Sequence, residues 1–335
     1  MTDNRIDSVE KLEALVGTAA LAVRLKVIDH LDEHALRWVA AAPLMFAGFG
    51  DGSAMAITIG GGAPGFVGAD RATLHLPIAA LDDPALARPG RSFCSLFLAP
   101  GIAESLRVNG RVTGIDGDRI RIAVEECYVH CSKALIRSSF WSAAPVSGTI
   151  DDEAAFVAAS RFMALATIDA AGRADLSPKG DPAGRMARID RDRFWFADRP
   201  GNRRVDSFRN MIAQPRIAAI LLLPGSHQVA RITGIARLTT DEAERRPFTV
   251  QAKLPLLAAS VEDLSVEMYD SPALERARLW PARARATGIE PAKAFVAHVK
   301  LNKDKGFAAK LAGAVLSVPG LVQKGLDKDY ETNLY

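Results

Sequence analysis

The sequence predicts a mainly β protein with flanking helices, an α+β fold, built as two tandem units. Three observations predict this. Apolar runs of strand length, bounded by Gly, Pro and Asp, recur along most of the chain. Helical periodicity is confined to the N-terminus and to short stretches between and after those runs. Finally, a pattern returns. Leu96-Phe97-Leu98-Ala99-Pro100-Gly101 is matched by Ile220-Leu221-Leu222-Leu223-Pro224-Gly225. At the same spacing, Arg107-Val108-Asn109-Gly110 is matched by Arg231-Ile232-Thr233-Gly234. The reading is a duplicated β-rich unit of about 110 residues.

Taken in order, residues 8–40 read as helical. Leu12, Leu15, Val16, Ala19 and Val23 follow a 3.6-residue period, and Asp7 with Glu10 resembles a capping pair. A second helical piece, Glu33 to Ala42, stops at Pro43. Strands are expected at Leu44–Phe49, Ala54–Ile59, Thr73–Leu76, Ser92–Leu98, Ser105–Thr113 and Arg119–Glu125. Residues 126–141 turn into a helix that closes the first half. Ser142 to Asp152, small and polar with Pro and Gly, reads as a linker.

After a short helix at Glu153–Ser160, strands resume at Phe162–Asp169, Arg173–Ser177, Met186–Ile189 and Phe194–Ala197. A helix is expected over Arg203–Ala213, capped by Asn202 and stopped by Pro215. Strands follow at Ile217–Leu223 and Gln228–Ile235, then helices over Glu242–Ala258 and Ala273–Ala284. Lys303 to Gln323 is basic and amphipathic; packing on the body is favoured over membrane docking. The expected divisions are an N-terminal helical segment (1–34), a first repeat (35–145), a second repeat (153–300) and a C-terminal tail (301–335).

Composition narrows the function. The 335 residues favour two domains, and 49% hydrophobic with 24% charged residues is ordinary for a globular protein. A net charge of +3, with basic and acidic residues interleaved, gives no case for a nucleic-acid partner. Three cysteines form no disulfide framework. No secretory signal and no apolar run of membrane-spanning length is present, so a cytoplasmic protein without a transmembrane segment is expected. Nucleophile-elbow, Walker and zinc-protease motifs are absent.

Two basic clusters stand out. Ser177, Lys179 and Asp181 lie in a Pro/Gly loop at a strand end, where hydroxyl, ammonium and loop amides can hold a phosphate. Asn202, Arg203 and Arg204 lie where a helix is expected to start. Anions bind at helix N-termini, but arginines there are unfavourable for the helix itself, which is the kind of local conflict that marks function. The first repeat has Gly60 in place of Lys179 and no paired arginines, so one site per chain is expected. Lys133, Arg137 and Trp141, spaced i, i+4, i+8, would share a helical face toward a ligand or another subunit. Cys127, His130 and Cys131 lack the second ligand pair of a structural zinc. His75, His227 and His298 read as structural, and Arg107 and Arg231 occupy equivalent strand positions from which either could enter a site or face solvent.

Phe162 to Gly225 resembles the pyridoxamine 5′-phosphate oxidase-like family of FMN-binding split β-barrels. The resemblance is carried by Thr167 to Asp181, by Phe196 to Arg204 and by Leu223-Pro224-Gly225. The first half looks like a diverged copy, and His130 to Trp141 is similar to the end of a bacterial subgroup of FMN-dependent oxidases. The resemblance implies two tandem split β-barrels forming a pseudo-dimer within one chain, with a homodimer left open. It implies FMN in the groove between them. Ser177 and Lys179 would face the flavin, and Arg203 and Arg204 would hold its phosphate. Ala197 and Asp198 would line the ring or ribityl chain, and Lys133, Arg137 and Trp141 would complete the groove. It implies an FMN-dependent oxidoreductase acting on a small molecule or a nicotinamide cofactor. Pyridoxamine phosphate is not the expected substrate, because no matching substrate pattern follows Ile235. The rival readings are a non-catalytic flavin-binding scaffold, or a split barrel binding haem (through His130 or His227) or a deazaflavin.

Overall fold

The computed structural model describes residues 4–282, 284–303, 325, 328–330 and 332–335. The elements run β1 (Arg5–Ile6), α1 (Val9–Val16), α2 (Leu21–Leu25), α3 (Glu33–Ala41), β2 (Leu44–Gly50), β3 (Met55–Gly61), β4 (Gly68–Ala69), β5 (Thr73–Pro77), β6 (Ser92–Leu98), β7 (Ser105–Asp116), β8 (Arg119–His130) and α4 (Lys133–Arg137). They continue α5 (Glu153–Ala159), β9 (Phe162–Ile168), β10 (Ala174–Gly180), β11 (Ala187–Asp190), β12 (Arg193–Ala197), α6 (Asp206–Ala213), β13 (Arg216–Leu222), β14 (Gln228–Thr239), α7 (Glu242–Arg245), β15 (Ala258–Asp270), α8 (Pro272–Ala277) and α9 (Pro291–Leu301).

The fold is mainly β with flanking helices, in two antiparallel sheets. The first has the order β3-β2-β6-β7-β8-β5-β4; the second has β10-β9-β13-β14-β15-β12-β11, with β1 added against β14. Position for position the two orders are the same, and neither path closes into a ring among the described residues. The arrangement is consistent with a pair of split barrels. The glycines matched in the sequence explain themselves here. Register shifts occur between Asn109 and Gly110 in β7 and between Thr233 and Ile235 in β14. A Cβ on Gly110 would fall 1.9 Å from the Ala123 carbonyl, and one on Gly234 would fall 2.5 Å from that of Glu262. Only glycine permits the strand to bulge so closely against its neighbour.

Local chemistry sets the element ends. The Asp32 carboxylate accepts from Ala35 N at 2.8 Å to cap α3, and Asp152 accepts from Ala155 N at 2.7 Å to cap α5. In the β9–β10 turn, Asp169 Oδ1 accepts from both Ala171 N and Arg173 N at 2.9 Å, and Gly172 supplies a φ of 76°.

Three large apolar clusters fill the molecule, beside a small one of Trp195, Ala197 and Phe248. One packs α3 into the first sheet; one packs α1, α5 and α6 onto the second; the third, with Phe46, Ile57, Phe140, Phe162 and Ile220, joins the two sheets face to face. Connections cross between units. α8 packs against β3, and Ile289 and Ala294 of the α9 region join the first sheet's core.

Several expectations are corrected. The 8–40 helix is three short helices, and Ser8, not Asp7, caps α1 by accepting from Lys11 N. The helix expected from Arg203 begins at Asp206, because Arg203 and Val205 have φ of 56° and 36°, outside helical geometry. Asp206 in the first turn is the favourable choice there, so the supposed conflict with the helix dipole disappears. Glu242–Ala258 is helical only at α7 and the 3₁₀ turn Arg246–Phe248. The strand β15 follows from Ala258, with alternating burial, over residues for which the sequence reading expected no element. Helix α8 stops at Arg278, whose φ is 47°. The tail expected over Lys303–Gln323 lies, after Lys303, outside the described residues.

Candidate functional site

The site is a cavity of about 740 Å³ between α4 of the first unit and the β10, β12 and α6 region of the second. This lies within the 300–1,000 Å³ range of small-molecule sites. One glycine allows the two units to meet there. A Cβ on Gly180 would lie 2.0 Å from the Ala134 carbonyl, so α4 sits directly on the end of β10. Alternation along β10 then aims Ser177 and Lys179 into the cavity.

The floor is a buried polar network. Arg107, 1% exposed, reaches across from β7 of the first sheet and pairs with the Asp175 carboxylate. It also donates to Tyr128 Oη at 2.5 Å and to Ser177 Oγ at 3.2 Å, and Ser177 Oγ donates to Asp175 Oδ2 at 3.1 Å. Burial pushes the Asp175 carboxyl up, against the pull of Arg107. Arg204 stacks over the Tyr128 ring, 4.5 Å to its centroid, with Nε 2.5 Å from Asp206 Oδ2. Behind this floor, Lys26 donates to the Val129 carbonyl at 2.7 Å; burial, with Arg204 nearby, draws its pKa down to about 7. His130 lines the cavity and is held neutral by burial and by the cations Arg107, Lys26 and Arg204.

On the β12 side, Ala197 is buried at the strand end and Asp198 follows it. Burial raises Asp198 and lowers Lys179, and each partly offsets the other's shift. Lys179 Nζ lies 4.2 Å from the centroid of the Phe208 ring and forms no ion pair among the described residues. Asp181 pairs with Arg199 Nε at 2.6 Å. Asn202 Oδ1 accepts from Arg204 N at 3.1 Å, an Asx turn rather than the expected helix cap. Arg203 lines the cavity from the positive-φ loop.

Opposite, Lys133 and Arg137 hold the C-terminal segment. Lys133 Nζ lies 2.8 Å from Asp329 Oδ2 and donates to the Asn333 carbonyl at 2.8 Å. Arg137 Nε donates to the Leu334 carbonyl at 2.6 Å, and its Nη2 to the Pro200 carbonyl at 2.6 Å.

The structure thus brings ten of the eleven sequence-derived residues to one cavity: Ser177, Lys179, Asp181, Ala197, Asp198, Asn202, Arg203, Arg204, Lys133 and Arg137. It places Trp141 elsewhere. Helix α4 ends at Arg137 and Ser139 has a φ of 51°, so the i+8 extrapolation fails. Trp141 packs edge-on against Phe140 and donates to the Ile102 carbonyl at 2.7 Å. Residues not singled out from sequence include Asp175, Tyr128, Lys26 and Tyr335. Asp175 was within reach, being two residues before Ser177 on the same strand face.

Four buried atoms of lining residues have no hydrogen-bond partner among the described residues: Arg107 Nε, Asn202 Nδ2, Asp181 Oδ1 and His130 Nδ1. Buried polar atoms are normally paired, so these donors and acceptors suit a polar ligand. With the cations Lys179 and Arg203, they fit a phosphorylated, hydrogen-bonding cofactor such as FMN.

The corresponding place in the first unit is closed by the chain itself. A Cβ on Gly61 would lie 2.0 Å from the Ala273 carbonyl, so α8 sits on β3 as α4 sits on β10. Asp82 accepts from Ser271 Oγ at 2.5 Å and Ala273 N at 2.8 Å, and Arg276 is tied to the Gly61 and Ala80 carbonyls. Arg231 meets Asp83 and Glu267. Among the described residues, no helix is long and apolar enough to cross a membrane and no cluster of three metal-ligating side chains occurs.

Residues 150–286 match the family Pyridoxamine 5′-phosphate oxidase. No curated protein matches the chain. Among solved structures, the chain is similar to HupZ of Group A Streptococcus, with 18% identity over 37% of this chain and 98% of that one, TM-score 0.30. It is similar to General Stress Protein 26 of Bacillus anthracis, with 12% identity over 34% and 92% of the two chains, TM-score 0.27. It is also similar to an F420 reductase, with 13% identity over 36% and 98%, TM-score 0.27.

Proposed function

We propose, from the premise that residues 150–286 are pyridoxamine 5′-phosphate oxidase-like, that the cavity binds FMN and that the protein is an FMN-dependent oxidoreductase for a small substrate. The observation that carries this reading is the cation Lys179, unpaired among the described residues, facing a cavity of about 740 Å³ with Asn202 Nδ2 and Arg203. Lys179 and Arg203 would hold the phosphate, and Asn202 and Ser177 would donate to polar atoms. Arg107 would keep Ser177 oriented through the hydrogen bond at 3.2 Å. FMN supplies hydride acceptance and return of electrons to an acceptor. The protein's part is to bind, orient and exclude water. An anion beside Lys179 offsets the burial that now lowers its pKa, which strengthens the charge-assisted contact. The closed counterpart around Gly61 supports one FMN per chain, and the shared strand order supports a duplicated chain acting as its own pseudo-dimer.

The test is a visible spectrum of the purified full chain and an FMN titration. Flavin bands are expected at one per chain. Lys179→Ala should weaken FMN by roughly 10- to 100-fold, the worth of a charge-assisted hydrogen bond of about 1.5–3 kcal/mol. A colourless protein that cannot be reconstituted with FMN refutes the reading. A second reading rests on His130, whose neutral imidazole lines the cavity with Nδ1 unpartnered. His130 would then be the residue that holds a haem iron. FMN, a deazaflavin and haem give distinct spectra, and only the haem spectrum would change in His130→Ala. His227 is exposed and does not line the cavity.

A further inference from the structure

Lys133 and Arg137 stand one helical turn apart on α4, two like charges that are 3% and 8% exposed. Buried cations need partners. Apart from Arg137's bond to the Pro200 carbonyl, the hydrogen-bond and ion-pair partners they have among the described residues come from one short segment: the Asp329 carboxylate and the carbonyls of Asn333 and Leu334. Two further ties hold the same segment. Lys253 donates to the Tyr335 carbonyl at 2.6 Å, and Tyr330 Oη donates to Glu104 Oε1 at 3.2 Å. The segment therefore bridges the first unit, through Lys133, Arg137 and Glu104, to the second, through Lys253. It holds the Tyr335 ring near two guanidiniums, 5.3 Å from Arg137 and 5.7 Å from Arg199. With it in place the cavity still measures about 740 Å³, and Asp329, Asn333 and Tyr335 form part of its wall.

We infer that Asp329, Tyr330 and residues 332–335 form the outer wall of the cavity, a strap that closes over the bound ligand, and that Lys133 and Arg137 anchor this strap instead of contacting the ligand. This rests on the flavin reading only for the identity of the ligand. It reassigns two residues that the family resemblance places on the cofactor, and it adds Tyr335 to Phe196 and Phe208 as aromatic residues lining the cavity. A strap of this kind slows ligand escape and excludes water. A plug that competes with the ligand would do the opposite, so the sign of one measurement separates them.

The experiment uses the full chain with Asp329→Asn and Tyr335→Ala together, and FMN as the probe. FMN dissociation is expected to become roughly tenfold faster, with weaker affinity. Lys133→Ala should weaken FMN in the parent chain but add little in the strap variant, because its effect passes through the strap. Fluorine NMR of protein labelled with 3-fluorotyrosine, with Tyr335 assigned by Tyr335→Phe, should show a docked ring that stays docked when FMN is added and is freed by Lys133→Ala. Tighter FMN binding in the strap variant, release of Tyr335 by FMN, or additive effects of Lys133→Ala each overturn the inference. Failure of both proteins to take up FMN overturns the flavin reading instead. The strap is then decided by the fluorine signal: a docked Tyr335 freed by Lys133→Ala upholds it, and a mobile Tyr335 in the parent chain overturns it.

Discussion

Gly180→Ala and Gly61→Ala make a matched pair of perturbations, because the two glycines hold corresponding positions in sheets of the same strand order. In each, the new Cβ would lie 2.0 Å from a helix carbonyl, Ala134 O on α4 or Ala273 O on α8. Real Cβ contacts do not fall below 3.0 Å, so each helix must retreat by about 1 Å or more. Overpacking of this kind costs about 1–3 kcal/mol. Both variants should therefore lose similar stability in urea unfolding, read as a lower midpoint with an unchanged slope. Their effects on ligand should differ. Moving α4 displaces Lys133 and Arg137 and shifts the strand end that carries Lys179, whereas moving α8 disturbs only the closed counterpart. FMN affinity, followed by quenching of flavin fluorescence, should fall roughly tenfold in Gly180→Ala and stay within about twofold of the parent in Gly61→Ala, since positioning groups tolerate little displacement. Equal loss of FMN in both, or unchanged stability in Gly180→Ala, would refute the account of the two helix seats.

Arg107→Met leaves the Asp175 carboxylate buried without its cation, and should cost about 3–5 kcal/mol at neutral pH. The loss should shrink in acid, where Asp175 takes up a proton; chemical denaturation at two pH values checks this. Lys26 gives a pH dependence of known sign. Its folded pKa of about 7 lies below the ordinary lysine value of 10.5, so the unfolded chain binds the extra proton between those values and stability rises as pH increases through that window. Lys26→Met should be more stable than the parent below about pH 7, by up to roughly 3–5 kcal/mol, with the difference fading toward pH 10. A flat difference across that range would show that Lys26 is not desolvated as the structure has it.

Much of the β framework could be read locally because each strand is a short apolar run closed by Gly, Pro or Asp, and because hairpin turns carry their own chemistry. The Asp169 turn is one case, where side chain and Gly172 act within five residues. Readings failed where a long-range partner overrides local pattern. Arg203 and Arg204 look like part of a helix until the positive φ of Arg203 and Val205 and the Arg204–Asp206 pair, covering Tyr128, hold them as a loop. β15 was hidden because its exposed face carries Asp263, Ser265 and Glu267, and its strand state depends on pairing with both β14 and β12. Trp141 was extrapolated along a helix that ends one turn earlier, and its indole found the Ile102 carbonyl in the loop between β6 and β7.

By itself the sequence determined the α+β class, the recurrence of Pro-Gly and Arg-x-x-Gly at equal spacing, and the concentration of cations around Lys179 and Arg203. Those features are local, or are repeated in register along the chain. Only the tertiary structure decided which cations are free to meet a ligand. Arg204 is spent on Asp206 and Tyr128, Arg107 on Asp175, and Lys133 and Arg137 on a segment about 200 residues away. The physical reason is burial: a charge removed from water takes whichever opposite group the fold brings to it, and nothing near it in sequence announces that partner.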